Sequence, residues 1–77
     1  MEEKTIFVLE DEPLTQQVLR RFIGLLGYRV ESFARGADAL TQARARPPDA
    51  VVADNPLEDM TGLEVYRVLR DARLAVP

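Results

Sequence analysis

Short apolar runs alternate with amphipathic stretches along this chain of 77 residues. Ile6-Phe7-Val8-Leu9 is a continuous apolar run, as expected of a strand buried on both faces, and the pattern places the first strand at residues 5–9. Pro13 can then occupy a first helical turn, where its missing N–H costs nothing. Leu14, Val18, Phe22 and Leu25 or Leu26 recur at spacings of three and four, which predicts a helix with that stripe turned to the core. Gly27 follows as a left-handed helix stop. Tyr28 to Phe33 reads as a second strand, weakly patterned as suits a sheet edge. Gly36 to Arg46 reads as a shorter helix with Ala39, Leu40 and Ala43 inward, ended by Pro47-Pro48. The third strand is Ala50-Val51-Val52-Ala53. After a loop, Thr61-Gly62-Leu63-Glu64 has the spacing of a capping box and opens a third helix to about Ala72, with Leu63, Val65, Tyr66, Val68 and Leu69 buried or half-buried.

The order is βαβαβα, and right-handed crossovers make this a parallel sheet with helices on both faces. The chain shows no internal repeat and no low-complexity segment, and it reads as a single domain over residues 1–77. Leu74-Ala75-Val76-Pro77 is too short to be an element and reads as the lead-in to a further strand.

Two of the apolar runs end in acid: Glu10-Asp11-Glu12 follows the first strand and Asp54 follows the third. Ligands of open α/β sheets bind outside the carboxyl ends of the strands. If the first and third strands are neighbours, Glu10, Asp11 and Asp54 meet in one pocket. Carboxylates crowded together repel unless a cation lies between them, and a hard, oxygen-liganded ion such as Mg²⁺ is the natural occupant. Each acid also has a plainer role. The first cluster can favour the positive end of the following helix dipole, and Asp54 can be a turn residue that accepts backbone N–H bonds.

Composition sharpens this. A net charge of −3 argues against general nucleic-acid binding, which needs a basic face. With no cysteine and no histidine, disulfides and thiolate metal sites are excluded and a zinc centre is disfavoured. The apolar runs are too short to span a bilayer, and the first residues lack a basic segment leading into a long apolar one, so the expectation is a cytoplasmic protein with no membrane partner. Arg20-Arg21, Arg44-Arg46 and Arg67-Arg70 read as solvated helix faces, and Leu57 and Met60 as loop packing.

Val8-Leu9-Glu10-Asp11-Glu12-Pro13 resembles the acidic motif that closes the first strand of response-regulator receiver (CheY-like) domains. Gly36-Ala37-Asp38-Ala39-Leu40 resembles the start of their second helix, and Asp49 to Asp54 their third strand. Met60 and Gly62 match the loop that follows, so the resemblance runs over essentially the whole chain. It implies the (βα)3 part of a flavodoxin-like fold with strand order 2-1-3. By position, Asp54 would be the phosphoacceptor for a sensor histidine kinase or phosphotransfer protein. Asp11 would ligate Mg²⁺ directly, Glu10 directly or through water, and the Pro56 carbonyl would be the third protein ligand.

Three departures from that pattern stand out. Glu58 occupies the position where the family usually has proline, and a proline falls instead at Pro56. The residues end after the third helix, so the Ser/Thr and Lys that close the family's fourth and fifth strands have no counterpart here. Lys4, the chain's only lysine, precedes the first strand, at the wrong end of the sheet to substitute. The resemblance therefore implies that this chain is phosphorylated slowly or not at all.

The leading reading is a signalling receiver, a phosphoacceptor rather than an enzyme. A second is a self-associating binding module that performs no phosphotransfer. On either reading the chain is expected to form a homodimer through an exposed third strand or first helix. A third, a Mg²⁺-dependent phosphohydrolase with an aspartate nucleophile, is weakened because Asp11 to Thr15 does not supply the Asp-x-Asp-x-Thr spacing.

Overall fold

The structure, a computed structural model, describes residues 3–53, 57 and 59–71. It contains β1 (Thr5–Leu9), α1 (Pro13–Leu25), β2 (Arg29–Phe33), α2 (Gly36–Ala45), β3 (Ala50–Ala53) and α3 (Gly62–Asp71). The three strands form one parallel sheet in the order β2-β1-β3. Thr5 to Leu9 run alongside Arg29 to Phe33, and Ile6 to Leu9 alongside Ala50 to Ala53. The far end of β3 is fixed by Asp49, whose carboxylate accepts from the Thr5 N–H at 2.7 Å while its own N–H donates to the Thr5 carbonyl at 2.8 Å.

Being central, β1 is covered on both faces, which is why its run is unbroken by polar residues. Phe7 and Leu9 join Ala39, Leu40, Ala43, Leu57 and Val65 in the core, with Phe33, Val51 and Met60 packed against it. The Phe7 and Phe33 rings lie 4.8 Å apart and tilted, a favourable aromatic geometry. Helices α2 and α3 pack together on this face, while α1 packs on β1 and β2 from the other. Helices thus cover both faces, as the periodicity predicted. The packing of Leu57 and Met60 also agrees with the sequence reading.

The local stops and starts follow the expected chemistry. Pro13 opens α1, and Gly27 adopts a φ of 97° just past its end. The Thr61 hydroxyl accepts from the Glu64 N–H at 3.1 Å and donates to the Glu64 carboxylate at 3.3 Å, tying the start of α3. Gly36 leaves little room for a different reason: a Cβ there would collide with the Met60 side chain and lie 2.9 Å from Val65 Cγ2, so both would have to shift. The absence of a side chain lets α2 seat against the loop and α3.

Two expectations about helix faces are corrected. The stripe Leu14, Val18, Phe22, Leu25 and Leu26 does not enter the core; these residues are 58–80% exposed. The face of α1 on the sheet is carried by Gln16, Leu19 and Ile23, all half-buried. Roughly 100° of rotation per residue separates the two apolar stripes, and the outer one is the longer, so periodicity alone selected the wrong side. In α3, Val65 is fully buried but Leu63, Tyr66 and Val68 are exposed. The Leu69 side chain lies outside what the structure describes.

Candidate functional site

The carboxyl ends of β1 and β3 are level, since Leu9 pairs with Ala53. Residue 10 therefore leaves the sheet beside the point where β3 ends. Glu10 is 2% exposed, the one buried charged or polar residue among those described. Its backbone is held from two sides: its N–H donates to the Phe33 carbonyl at 3.0 Å, and its carbonyl accepts from Gln16 Nε2 at 2.9 Å. Its carboxylate is less well served, because Oε2 is buried and has no hydrogen-bond partner among the described residues. A buried carboxylate oxygen without a donor is costly. A bound cation would compensate it, so the donor set fits a hard metal ion.

Asp11, the next residue, is exposed at the mouth of the same strand end. Glu12 does not join this pair. Its carboxylate caps α1, accepting from the N–H of Leu14 at 3.2 Å and of Thr15 at 2.7 Å, and from the Thr15 hydroxyl at 2.8 Å. The Thr15 backbone bond, then its hydroxyl, then the Leu14 bond hold the Glu12 carboxyl below its ordinary value. Glu12 thus takes the helix-start role directly, as the cap of α1. Of the sequence-predicted site residues, Glu10 and Asp11 stand together at the sheet end, whereas Asp54 and Pro56, like Glu58, lie outside the described residues. Among those described, no group of three or more acidic, histidine or cysteine residues gathers as a metal site.

One further acid shapes this end of the molecule. The residue before α2, Arg35, supplies no side-chain cap. Asp59 caps that helix from the β3–α3 loop, accepting from the Gly36 N–H at 2.8 Å and the Ala37 N–H at 2.9 Å. Those two bonds, Ala37's the larger, hold the Asp59 carboxyl below its ordinary value, and the Arg35 charge adds to them. With the Leu57 N–H bonded to the Met60 carbonyl at 2.8 Å, the loop after β3 is fastened to α2. Nothing in the sequence pattern singled out Asp59. The clue was a helix start lacking its own acceptor, which requires one from elsewhere.

The three-stranded parallel sheet, its β2-β1-β3 order and the acid at its carboxyl end define the receiver class of flavodoxin-like fold. The chain belongs to the response regulator receiver domain family, whose model matches residues 6–77. It is 40% identical over 65 residues to the transcriptional regulatory protein KdpE of Mycobacterium tuberculosis (strain CDC 1551 / Oshkosh), covering 84% of this chain and 29% of that protein. It is 34% identical over 77 residues to the transcriptional regulatory protein CreB of Escherichia coli (strain K12), covering 100% of this chain and 34% of that one. The fold matches the signal receiver domain of a putative Luxo repressor protein from Vibrio parahaemolyticus with a TM-score of 0.89 at 17% identity, over 97% of this chain and 58% of that one. The chain thus spans about a third of the length of these curated relatives. It is a receiver module of two-component signal transduction. No helix among the described residues is long and apolar enough to cross a membrane.

Proposed function

We propose that this receiver accepts a phosphoryl group on Asp54 from a sensor histidine kinase or phosphotransfer protein, with Mg²⁺ as its cofactor. Asp11, Asp54 and the Pro56 carbonyl would hold the ion, with Glu10 assisting directly or through water. The observation that carries this reading is the buried Glu10 carboxylate beside Asp11 at the end of β1, whose Oε2 has no hydrogen-bond partner among the described residues. The level ends of β1 and β3 support it further, since the residue after Ala53 is the acid the reading requires. In the transfer, an Asp54 carboxylate oxygen forms a bond to phosphorus as the bond from phosphorus to the donor's imidazole nitrogen breaks, and the electron pair stays on that nitrogen. Bound Mg²⁺ would neutralise the phosphoryl oxygens, so the chemistry is mostly positioning and charge compensation. The domain is a substrate of phosphotransfer in this account, not an enzyme with turnover of its own.

Titration with Mg²⁺ followed by amide chemical shifts tests the cofactor assignment. Shifts are expected to move at residues 10–12 and 54–56, with weak affinity because Mg²⁺ retains several waters and takes few protein ligands. Glu10→Gln should weaken the response. Unmoved shifts at those residues up to about tens of millimolar would remove Mg²⁺ from the account.

A further inference from the structure

The inward stripe of α1 begins with a polar residue. Gln16, Leu19 and Ile23 carry the face against the sheet, and all three are half-buried. An apolar side chain at the first of these positions would pack with no polar group to satisfy, so the amide there requires a partner. It has one: Gln16 Nε2 donates to the Glu10 carbonyl at 2.9 Å, across six residues. The bond meets a need at both ends. Glu10 is 2% exposed and follows Leu9, the last paired residue of β1, so its carbonyl is buried beyond the end of the ladder. Fixing that carbonyl fixes more than one atom. The Glu10 carbonyl and the Asp11 N–H belong to one planar peptide unit, so the bond also sets the direction in which Asp11 leaves the strand. Upstream, the Glu10 N–H is held by the Phe33 carbonyl at 3.0 Å, and downstream the Glu12 carboxylate is held by the Leu14 and Thr15 N–H groups. Asp11 is thus bracketed between two anchored residues, with its own side chain exposed.

We propose that Gln16 is a positioning residue for the cation site: it presets the peptide unit from which the Glu10 and Asp11 carboxylates are presented, so that the site is arranged before an ion arrives. The inference rests on the Mg²⁺ site proposed above and adds to it a residue from outside the acidic motif. Gln16 touches no ion in this account and acts through the Glu10 carbonyl alone. The consequence is selectivity. Mg²⁺ demands near-ideal octahedral geometry at short ligand distances, whereas Ca²⁺ takes more ligands in a more flexible cage. A turn pinned on both sides favours the ion that is stricter about geometry, and loosening the turn removes that advantage. Groups that orient metal ligands without touching the metal change affinity by about 10–100-fold when they are lost. A single bond to a backbone carbonyl puts the expectation at the lower end, about tenfold.

Gln16→Met tests this, since methionine keeps the length and the helix propensity of glutamine while removing the donor. Gln17→Met, one residue further on and exposed, is the control. Without any ion, the carbonyl carbon resonance of Glu10 should move in Gln16→Met and stay in place in Gln17→Met. Titrations with Mg²⁺ and with Ca²⁺, followed by amide shifts at residues 10–12, should show the Mg²⁺ Kd raised about tenfold in Gln16→Met. The Ca²⁺ Kd should rise less, so that the ratio of the two affinities shifts toward Ca²⁺. Gln16→Asn, which keeps the amide but shortens its reach by a methylene, should give the same pattern. A purely structural role would lower stability and weaken both ions alike. Equal losses for the two ions, an unmoved Glu10 carbonyl resonance, or a Mg²⁺ affinity that Gln16→Met leaves unchanged would overturn the inference while leaving the Mg²⁺ site standing. A chain that binds no Mg²⁺ before any substitution would overturn the site itself, and the inference with it.

Discussion

At the residue scale the molecule distinguishes its acids by what surrounds each carboxylate. Glu10 is buried with one oxygen unpartnered among the described residues, Asp11 is exposed, and Glu12 and Asp59 are consumed in capping α1 and α2. Capping has a pH consequence. Asp59 has its carboxyl lowered by the Ala37 and Gly36 N–H groups, so its contribution to stability is fully present above its ordinary value of 3.8 and is lost as pH falls through the lower folded value. Glu12 behaves alike below its ordinary value of 4.5. Asp59→Ala is therefore expected to lower stability at neutral pH and to flatten the loss of stability below pH 3.8, measured by urea unfolding at a series of pH values. An unchanged acid slope in that variant would show that Asp59 does not cap α2 in solution.

At the scale of elements, stability divides unevenly between the two faces of the sheet. The face shared by α2 and α3 holds the closely packed cluster around Phe7, Leu9, Ala43 and Val65, whereas no residue of α1 is fully buried. Leu9→Ala should cost about 2–5 kcal/mol, the range for a large side chain removed from a packed core. Val18→Ser should cost under about 0.5 kcal/mol, as expected of an exposed position. Chemical denaturation of the two variants side by side checks this ordering.

The same asymmetry explains what was legible in the sequence. The strands and α2 were readable because β1 is buried on both faces and Ala39, Leu40 and Ala43 fall on one helical side. In α1 both sides carry leucines, and only the tertiary structure decides that Leu19 and Ile23 face inward. The acidic pair at the end of β1 was visible as a motif, and the burial of Glu10 gives it physical content. Asp59 was missed because its partners lie in another element, 23 and 22 residues away.

At the scale of the whole molecule, the fold brings the carboxyl ends of β1 and β3 level and leaves a buried acid, one of whose oxygens has no hydrogen-bond partner among the described residues, beside an exposed one. That arrangement suits a module that holds a cation and receives a charged group. The most direct test of this central claim is intact-mass spectrometry after incubation with acetyl phosphate and Mg²⁺. The account predicts an increment of a single phosphoryl group on the unmodified chain, dependent on Mg²⁺ and absent from Asp54→Asn. No increment under any condition, an increment that survives Asp54→Asn, or steady hydrolysis of acetyl phosphate without an adduct would contradict it.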